Sequence, residues 1–426
     1  SSDLQEALKV YLEEIHDKMI SFDDEIERLH YLVDNNFYFN VFEKYSEAEL
    51  IEITEYAKSI HFQFASYMSA SKFYKDYALK TNDKTKFLED YNQHVAIVAL
   101  YLANGNVKQA KQFISAMVEQ RYQPATPTFL NAGRARRGEL VSCFLLEVDD
   151  SLNSINFIDS TAKQLSKIGG GVAINLSKLR ARGEAIKGIK GVAKGVLPVA
   201  KALEGGFSYA DQLGQRPGAG AVYLNIFHYD VEEFLDTKKV NADEDLRLST
   251  ISTGLIVPSK FFDLAKEGKD FYMFAPHTVK QEYGVTLDDI DLEKYYDDMV
   301  ANPNIDKKKK DAREMLNMIA QTQLQSGYPY LMFKDNANKV HANSNIGQIK
   351  VSNLCTEIFQ LQETSVINDY GIEDEIKRDI SCNLGSLNIV NVMESGKFRD
   401  SVFTGMDALT VVSDEANIQN APGVKK

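Results

Sequence analysis

Apolar residues at the start of the chain recur with the period of an α-helix. Leu4, Leu8, Tyr11, Ile15 and Met19 lie three or four residues apart, so they share one face of a helical segment. This spacing predicts that the chain opens with a helix.

The helical pattern continues to about residue 122. Residues 88–103 and 107–121 have the apolar spacing of two helices. They are separated by Asn104-Gly105, a dipeptide that tolerates the left-handed backbone of a helix C-terminus. We therefore predict one all-helical domain over residues 1–122.

After Pro124 the pattern changes to short apolar runs of β-prone residues that alternate with helical stretches. The predicted strands are residues 140–148, 172–176, 221–227, 248–257 and 271–274. The predicted helices are residues 152–168, 231–237, 260–266 and 312–325. Alternation of this kind indicates an α/β architecture with a largely parallel sheet, which we predict for residues 123–426. The lysine-rich stretch 305–311 is predicted to be a solvated loop or the start of a helix, without a functional role.

The composition is that of a globular protein, because 44% of the 426 residues are hydrophobic. The sequence contains no run of about eighteen apolar residues, and its acidic N-terminus does not resemble a signal peptide, so we expect a cytoplasmic protein without a membrane partner.

A net charge of −13 argues against non-specific binding to nucleic acid. Residues 121–190 nevertheless carry eleven Lys and Arg against six Asp and Glu. This local excess fits either an ordinary surface patch or a site for a small anion.

The chain contains three cysteines, Cys143, Cys355 and Cys382. Their odd number and the lack of a C-x-x-C motif argue against a disulfide scaffold and a zinc ribbon. The seven histidines show no metal-ligand spacing, so we predict no metal site. Two thiols can deliver two electrons by forming a disulfide. The alternative for each cysteine is a small buried hydrophobic residue.

Cys355 lies between an amide and an acid. Asn353 precedes it by two residues and Glu357 follows it by two. In an extended segment the three side chains emerge on one face, so an acid, an amide and a thiol converge on one ligand. The alternative is a strand edge with exposed polar residues.

Two glycine-rich segments invite a comparison with phosphate-binding loops. Gly169-Gly170-Gly171 follows a predicted helix and precedes a predicted strand, which is the wrong order for a dinucleotide-binding motif. These glycines are expected to end the helix and to allow close approach of another backbone or a ligand. Residues 212–220 are expected to form either a mobile loop that hydrogen-bonds a base or phosphate, or an ordinary surface loop.

Five segments, taken in order, carry a resemblance to a known family. They are TPTFLNAG at 126–133, SC at 142–143, DSL at 150–152, SNLCTE at 352–357 and SCNLGSLN at 381–388. In this order they closely resemble the large catalytic subunit of class I ribonucleotide reductase, and the class Ib branch fits best. The resemblance implies a helical domain followed by a ten-stranded α/β barrel, incomplete in this chain, with the radical cysteine on a loop threaded through the barrel.

The resemblance also implies a role for each cysteine. As a thiyl radical, Cys355 would take hydrogen from C3′ of a ribonucleoside diphosphate. Glu357 would accept the 3′-hydroxyl proton as general base, and Asn353 would hold the ribose hydroxyls. Water would leave from C2′. Cys143 and Cys382 would donate the proton and electrons that replace it, ending as a disulfide.

Two further groups of residues match binding positions of the family. The implied substrate contacts, besides Asn353, are Thr126, Ser142 and Gly170. The implied site for an allosteric deoxynucleoside triphosphate or ATP comprises Asp150, Ser151, Arg180, Gln212 and Arg216. In this site Asp150 would bind the effector sugar and Arg180 its phosphates, while the 212–220 loop would relay effector identity to the substrate site. The structural alternative for Asp150 is a helix N-cap.

The family further implies partners and missing parts. No cofactor is expected on this chain, because the radical would come from a small subunit that contains two metal ions. A homodimer and a thioredoxin- or glutaredoxin-type reductant are expected. Because the helical domain starts close to residue 1, we expect no N-terminal ATP-cone. The second barrel half is also expected to be absent, together with the tyrosine pair that passes the radical and the C-terminal cysteine pair.

These expectations support two hypotheses from different classes. In the first, the chain is the N-terminal part of a reductase catalytic subunit, either split or truncated, and is inactive alone. In the second, it is a non-catalytic effector-binding or assembly fragment whose cysteines have no role. A weaker third hypothesis is a three-cysteine metal site.

Overall fold

The computed structural model describes residues 2–211, 214 and 217–425. The chain divides into two compact units. The first comprises Ser1–Ser142 and Asn383–Asn417, and the second comprises Cys143–Cys382 and Ile418–Lys426. The predicted domain boundary at residue 122 lies inside the first unit.

Helices and short strands follow one another along the described residues. In chain order the helices are α1 (Ser2–Asp17), α2 (Glu25–Asp34), α3 (Glu47–Ser59), α4 (Tyr67–Asp76), α5 (Tyr91–Ala103), α6 (Val107–Val118), α7 (Thr126–Asn131), α8 (Leu152–Lys167), α9 (Leu197–Tyr209), α10 (Val231–Asp236), α11 (Ser259–Glu267), α12 (Pro276–Tyr283), α13 (Leu292–Ala301), α14 (Ala312–Ser326), α15 (Lys334–Val340), α16 (Ile389–Glu394), α17 (Phe398–Glu415) and α18 (Pro422–Lys425), with a 3₁₀ turn at Val41–Glu43. The strands are β1 (Tyr122–Pro124), β2 (Cys143–Glu147), β3 (Gly171–Asn175), β4 (Ala219–Asn225), β5 (Ser252–Val257), β6 (Asp270–Phe274), β7 (Lys307–Asp311), β8 (Tyr330–Phe333), β9 (Ile380–Cys382) and β10 (Gly385–Leu387).

Helix α5 belongs to the buried core of the first unit. Its N-terminus is fixed by Asp90, whose side chain accepts the Gln93 amide hydrogen, and its C-terminus by Asn104 in the left-handed conformation at φ 44°. Almost all of its residues are buried, which suits its apolar composition on every face. The two helices predicted around residue 104 are therefore confirmed as α5 and α6.

The second unit contains a six-stranded sheet in the order β8-β5-β4-β3-β2-β9. Strands β2, β3, β4, β5 and β8 are parallel, and β9 runs antiparallel to β2. Strands β2, β3 and β5 are buried along their whole length, as parallel strands covered on both faces usually are. The prediction of an α/β architecture with a largely parallel sheet is confirmed.

The predicted state of residues 305–311 is wrong. Lys307–Asp311 forms strand β7, which pairs in antiparallel register with β6 in a separate two-stranded sheet. Such a sheet leaves much of β7 partly exposed, so lysine side chains can extend into solvent while the backbone is paired. Polarity of the side chains alone therefore did not distinguish this strand from a loop.

Among residues 2–211, 214 and 217–425, none of the helices combines the length and the apolar composition that a membrane span requires.

Close packing of α9 on β4 generates a stability prediction. A Cβ atom added at Gly220 would lie 2.1 Å from Cε2 of Phe207, whereas one added at Gly205 meets no atom within 4 Å. Because overpacking a core typically destabilises by about 1–3 kcal/mol, we expect Gly220→Ala to lower the free energy of unfolding by that amount. Gly205→Ala is the matched control in helix α9 and should stabilise by about 0.5–1 kcal/mol. Urea unfolding measures both, and equal effects of the two variants would contradict the packing described.

Candidate active site

Cys143 and Cys382 lie directly opposite each other on two adjacent strands. Cys143 begins β2 and Cys382 ends β9, and the antiparallel register pairs them directly. The next strand places Gly171 beside Cys143, and β4 places Ala219 beside Gly171. Side chains at paired positions share a face of the sheet, so on β3 and β4 only small residues stand beside this cysteine pair.

The two paired thiols are electrostatically coupled. Both cysteines are buried, and a side-chain hydrogen bond joins them. This hydrogen bond, with burial and the nearby Glu357 carboxylate, raises the pKa of Cys382 well above its ordinary value. None of the three cysteines is in a disulfide. Cys382 therefore keeps its proton at neutral pH.

The third cysteine lies on a loop that crosses the same face of the sheet. Asn338 of α15 holds the start of this loop by accepting a hydrogen bond from the Ile349 amide at 2.8 Å and donating one to the Ile349 carbonyl at 2.9 Å. The loop then enters one buried cluster with both cysteines of the pair. The cluster members from this loop are Ile349 and Val351, with Leu354 and Ile358 packed against them.

The segment around Cys355 is a turn, so the prediction that it is extended is wrong. The Oδ1 atom of Asn353 accepts hydrogen bonds from the backbone amides of Glu357 at 2.9 Å and Ile358 at 3.0 Å. Thr356 donates its amide hydrogen to the Asn353 carbonyl at 3.1 Å and has a left-handed backbone at φ 62°. An Asn side chain can replace ladder hydrogen bonds in this way, and here it folds the chain back. Asn353 is buried, while Cys355 and Glu357 are exposed.

The Asn353 amide has one group left to bind a ligand. Because its Oδ1 atom accepts two backbone N–H groups, the orientation of the amide is fixed. Its Nδ2 group is then a buried donor without a hydrogen-bond partner. A buried unsatisfied donor destabilises a protein by about 1–3 kcal/mol, so an acceptor on a bound ligand is favoured at this position.

Electrostatic coupling links the loop to the cysteine pair. Glu357 raises the pKa of Cys382, after the larger effects of the Cys143 hydrogen bond and of burial. Burial raises the pKa of Tyr223 on β4, and the neighbouring Glu357 and Cys355 raise it further. Glu357 thus lies near Cys382, and both Glu357 and Cys355 lie near Tyr223, which belongs to the same buried cluster as Cys143 and Cys382.

A charged network at the carboxyl ends of β3 and β4 anchors this loop. Lys350 forms an ion pair with Asp289 at 2.7 Å. Burial opposes the charge of Lys350, but attraction by Glu147 and Asp289 is stronger and raises its pKa. The neighbouring Asp288 carboxylate accepts one hydrogen bond from an Asn side chain on β3 and one from β4, each at 2.8 Å. Sequence analysis missed this network, because its members are far apart in the chain and form no motif.

The other predicted substrate contacts occupy both units. Thr126 begins α7 in the first unit, where its hydroxyl bonds the Tyr77 hydroxyl at 2.9 Å, and Ser142 is buried at the end of the same segment. Gly170 lies in the second unit directly before β3. A Cβ at Gly170 would lie 2.4 Å from Cε2 of Phe144 and 2.8 Å from the Leu165 carbonyl oxygen, so the predicted close approach of another backbone is confirmed at Gly170.

The predicted effector residues divide into a described and an undescribed group. Asp150 forms an ion pair with Arg180 at 2.7 Å, so these two residues, which were both predicted to bind the effector, bind each other. The N-cap of α8 is Ser151, whose hydroxyl accepts the Ser154 amide hydrogen at 3.1 Å. The alternative that Asp150 caps this helix is therefore wrong, because its carboxylate is engaged by Arg180. Gln212 and Arg216 lie outside the described residues.

Among the described residues, no group of three or more His, Cys, Asp and Glu side chains is arranged to hold a metal ion.

Comparison with known proteins identifies one family along the chain. Residues 2–62 match the model "Ribonucleotide reductase N-terminal", residues 63–137 match "Ribonucleotide reductase, all-alpha domain" and residues 141–426 match "Ribonucleotide reductase, barrel domain". The chain therefore belongs to the ribonucleotide reductase large-subunit family. The predicted fold, a helical region followed by part of this α/β barrel, is confirmed.

Curated relatives agree with the family models. The chain is 52% identical over 417 residues to the ribonucleoside-diphosphate reductase subunit alpha of Bacillus subtilis, a match that covers 98% of this chain and 60% of the relative. It is 44% identical over 423 residues to the protein of the same name from Mycoplasma pneumoniae, covering 99% of this chain and 58% of the relative. The chain thus spans about 60% of the length of these relatives.

The register of β2 and β9 predicts which disulfide forms on oxidation. Directly opposed residues of antiparallel strands have Cα atoms about 4.5–5.5 Å apart, within the range that a disulfide spans. Mild oxidation with diamide should therefore link Cys143 to Cys382 and leave Cys355 open to later alkylation, as measured by peptide mapping. The variant Cys382→Ser serves as control and should form no such link. A disulfide that contains Cys355 in the unsubstituted chain would contradict the arrangement.

The environment of the thiols predicts their order of reaction in the reduced chain. Because the thiolate is the nucleophile, the burial and raised pKa of Cys382 should slow its alkylation. We expect exposed Cys355 to react with iodoacetamide at pH 8 at least about tenfold faster than Cys382, as followed by mass spectrometry. Equal rates for the two thiols in the folded chain would show that Cys382 is not held as described.

Proposed function

We propose that this chain is part of the catalytic subunit of a class Ib ribonucleoside-diphosphate reductase and contains the residues that reduce the substrate sugar. The observation that carries this proposal is the direct pairing of Cys143 with Cys382 on the sheet face that the Cys355 loop crosses. A two-electron donor and a separate thiol at one site match the chemistry that replaces a sugar hydroxyl by hydrogen.

In the proposed reaction, Cys355 removes the hydrogen atom from C3′ of a ribonucleoside diphosphate and later returns it. The radical itself comes from a small subunit with two metal ions, and this chain binds no cofactor. Glu357, exposed two residues from the thiol, accepts the 3′-hydroxyl proton. The unsatisfied Nδ2 of Asn353 donates a hydrogen bond to a ribose hydroxyl.

The cysteine pair completes the proposed reaction. The hydroxyl at C2′ takes a proton from one thiol of the pair and leaves as water, and the other thiol supplies the hydrogen for C2′. Cys143 and Cys382 together give up two electrons and become a disulfide. The raised pKa of Cys382 supports this role, because a thiol that stays protonated carries its hydrogen to the site. A thioredoxin- or glutaredoxin-type protein then reduces the disulfide.

Binding roles outside the sulfur site belong to the same proposal. Thr126, Ser142 and Gly170 contact the substrate. Asp150, Ser151, Arg180, Gln212 and Arg216 bind the deoxynucleoside triphosphate or ATP effector. In the described part of this site Arg180 is paired with Asp150, so effector phosphates compete with that carboxylate for the guanidinium. The subunit acts as a homodimer in the cytoplasm.

A turnover experiment tests the proposal. The chain is co-expressed with the remaining segment of the subunit and mixed with a radical-generating small subunit, and reduction of cytidine diphosphate is measured. The completed subunit should turn over, and Cys355→Ser should not, because serine provides no sulfur-centred radical. Calorimetric titration with a deoxynucleoside triphosphate should give equal affinity for the two proteins, which shows that Cys355→Ser is folded.

Two outcomes would contradict this proposal. One is equal turnover by Cys355→Ser and the unsubstituted protein. The other is effector binding without any turnover, in an assay where an established reductase works. The second outcome would favour a non-catalytic effector-binding or assembly fragment.

A further inference from the structure

Tyr223 is a buried residue at the centre of the sheet, and the reaction proposed above gives it no role. It lies on β4 and its side chain is fully buried. The register pairs it with Gly254 on β5, and a Cβ at Gly254 would lie 2.4 Å from Cε1 of Tyr223. The phenol ring therefore lies over a position that only glycine can occupy without moving it.

The Tyr223 hydroxyl bonds the Cys355 turn on both sides of the thiol. It donates a hydrogen bond to the Asn353 carbonyl at 2.7 Å, and its oxygen lies 2.6 Å from the Thr356 hydroxyl. Because a phenol has one proton and the carbonyl takes it, the Thr356 hydroxyl is the donor in the second bond. One oxygen atom thus holds the residues two before and one after Cys355.

Thr356 has a backbone conformation that needs such support. Its φ of 62° is in the left-handed region, which a β-branched residue rarely adopts. Strained residues of this kind persist only where the surrounding contacts hold them, and they concentrate at functional sites. The contacts that hold this turn include the two bonds of the Tyr223 hydroxyl, the internal bonds to Asn353, and a bond from the Ser352 hydroxyl to the Ile358 carbonyl at 2.8 Å.

We propose that Tyr223 is a positioning residue for Cys355. Its hydroxyl holds the turn from Asn353 to Thr356 in the strained conformation that fixes the Cys355 thiol relative to the Asn353 amide. The effect on turnover rests on the proposed function, whereas the effect on the turn does not. If Tyr223 only filled the core, its ring alone would be needed. Removal of the hydroxyl therefore distinguishes a positioning role from a packing role.

Tyr223→Phe keeps the ring and removes the hydroxyl. In the chain itself, we expect hydrogen exchange of the Thr356, Glu357 and Ile358 amides to become about tenfold faster, since a hydrogen bond that closes the turn is lost. In the completed subunit with its small subunit, we expect kcat to fall about tenfold or more with KM within about twofold, because misplacing a reacting group mainly lowers kcat.

Two further variants keep the test decisive. Thr356→Val keeps the β-branched shape and removes the second hydroxyl, so it should also speed exchange in the turn, even if Tyr223→Phe fails to fold. The double variant should exchange no faster than Tyr223→Phe alone, because both changes remove the same contact. Tyr296→Phe is the matched control. Tyr296 is a buried tyrosine whose hydroxyl bonds the β6 backbone, and its substitution should leave both the turn and kcat unchanged.

Each result decides between the alternatives. Faster exchange together with lower kcat supports the positioning role. Unchanged exchange in Tyr223→Phe overturns it, and so does unchanged kcat in a subunit that turns over. If exchange is faster in Tyr223→Phe but even the unsubstituted subunit shows no turnover, the result supports the role of Tyr223 in fixing the turn. In that case the proposed function is the part that fails.

Discussion

The antiparallel pairing of β9 with β2 is the contact on which the site depends. All the other neighbouring strands of the six-stranded sheet are parallel, and β9 alone among them reverses direction to place Cys382 opposite Cys143. Side chains alternate between the faces of a strand, so a slip of one residue would turn Cys382 to the opposite face. This register therefore decides whether the two thiols are close enough to form a disulfide.

The Cys355 loop depends on that sheet for its conformation. Lys350 is anchored by Asp289, Ile349 is held by Asn338, and the turn itself is held by Tyr223. These contacts stabilise a loop that contains a left-handed threonine and an amide donor without a partner. Such unfavourable features are typical of sites where a ligand completes the hydrogen bonding.

Much of the architecture could be predicted from local patterns. Strands β2 to β5 were evident as apolar runs, and α5 and α6 as periodic segments broken at Asn104. The three cysteines were singled out as candidate site residues by their flanking residues and by the resemblance to a family. Strand β7 was missed because its lysines gave no apolar signal. The turn at Cys355 was missed because the Asn353 side chain bonds the backbone of its own segment, which a spacing of two residues between polar side chains does not reveal. The hydrogen bonds of the Tyr223 hydroxyl were missed because they join segments distant in sequence, which periodicity does not reveal.

A crystal structure of the intact catalytic subunit with a bound ribonucleoside diphosphate tests the central claim most directly, namely that three thiols from distant segments share one sugar site. The ribose should lie between Cys355 and the Cys143–Cys382 pair, with the Asn353 Nδ2 group donating to one of its hydroxyls. A ribose bound away from these cysteines, with the Asn353 amide still lacking an acceptor, would contradict this account.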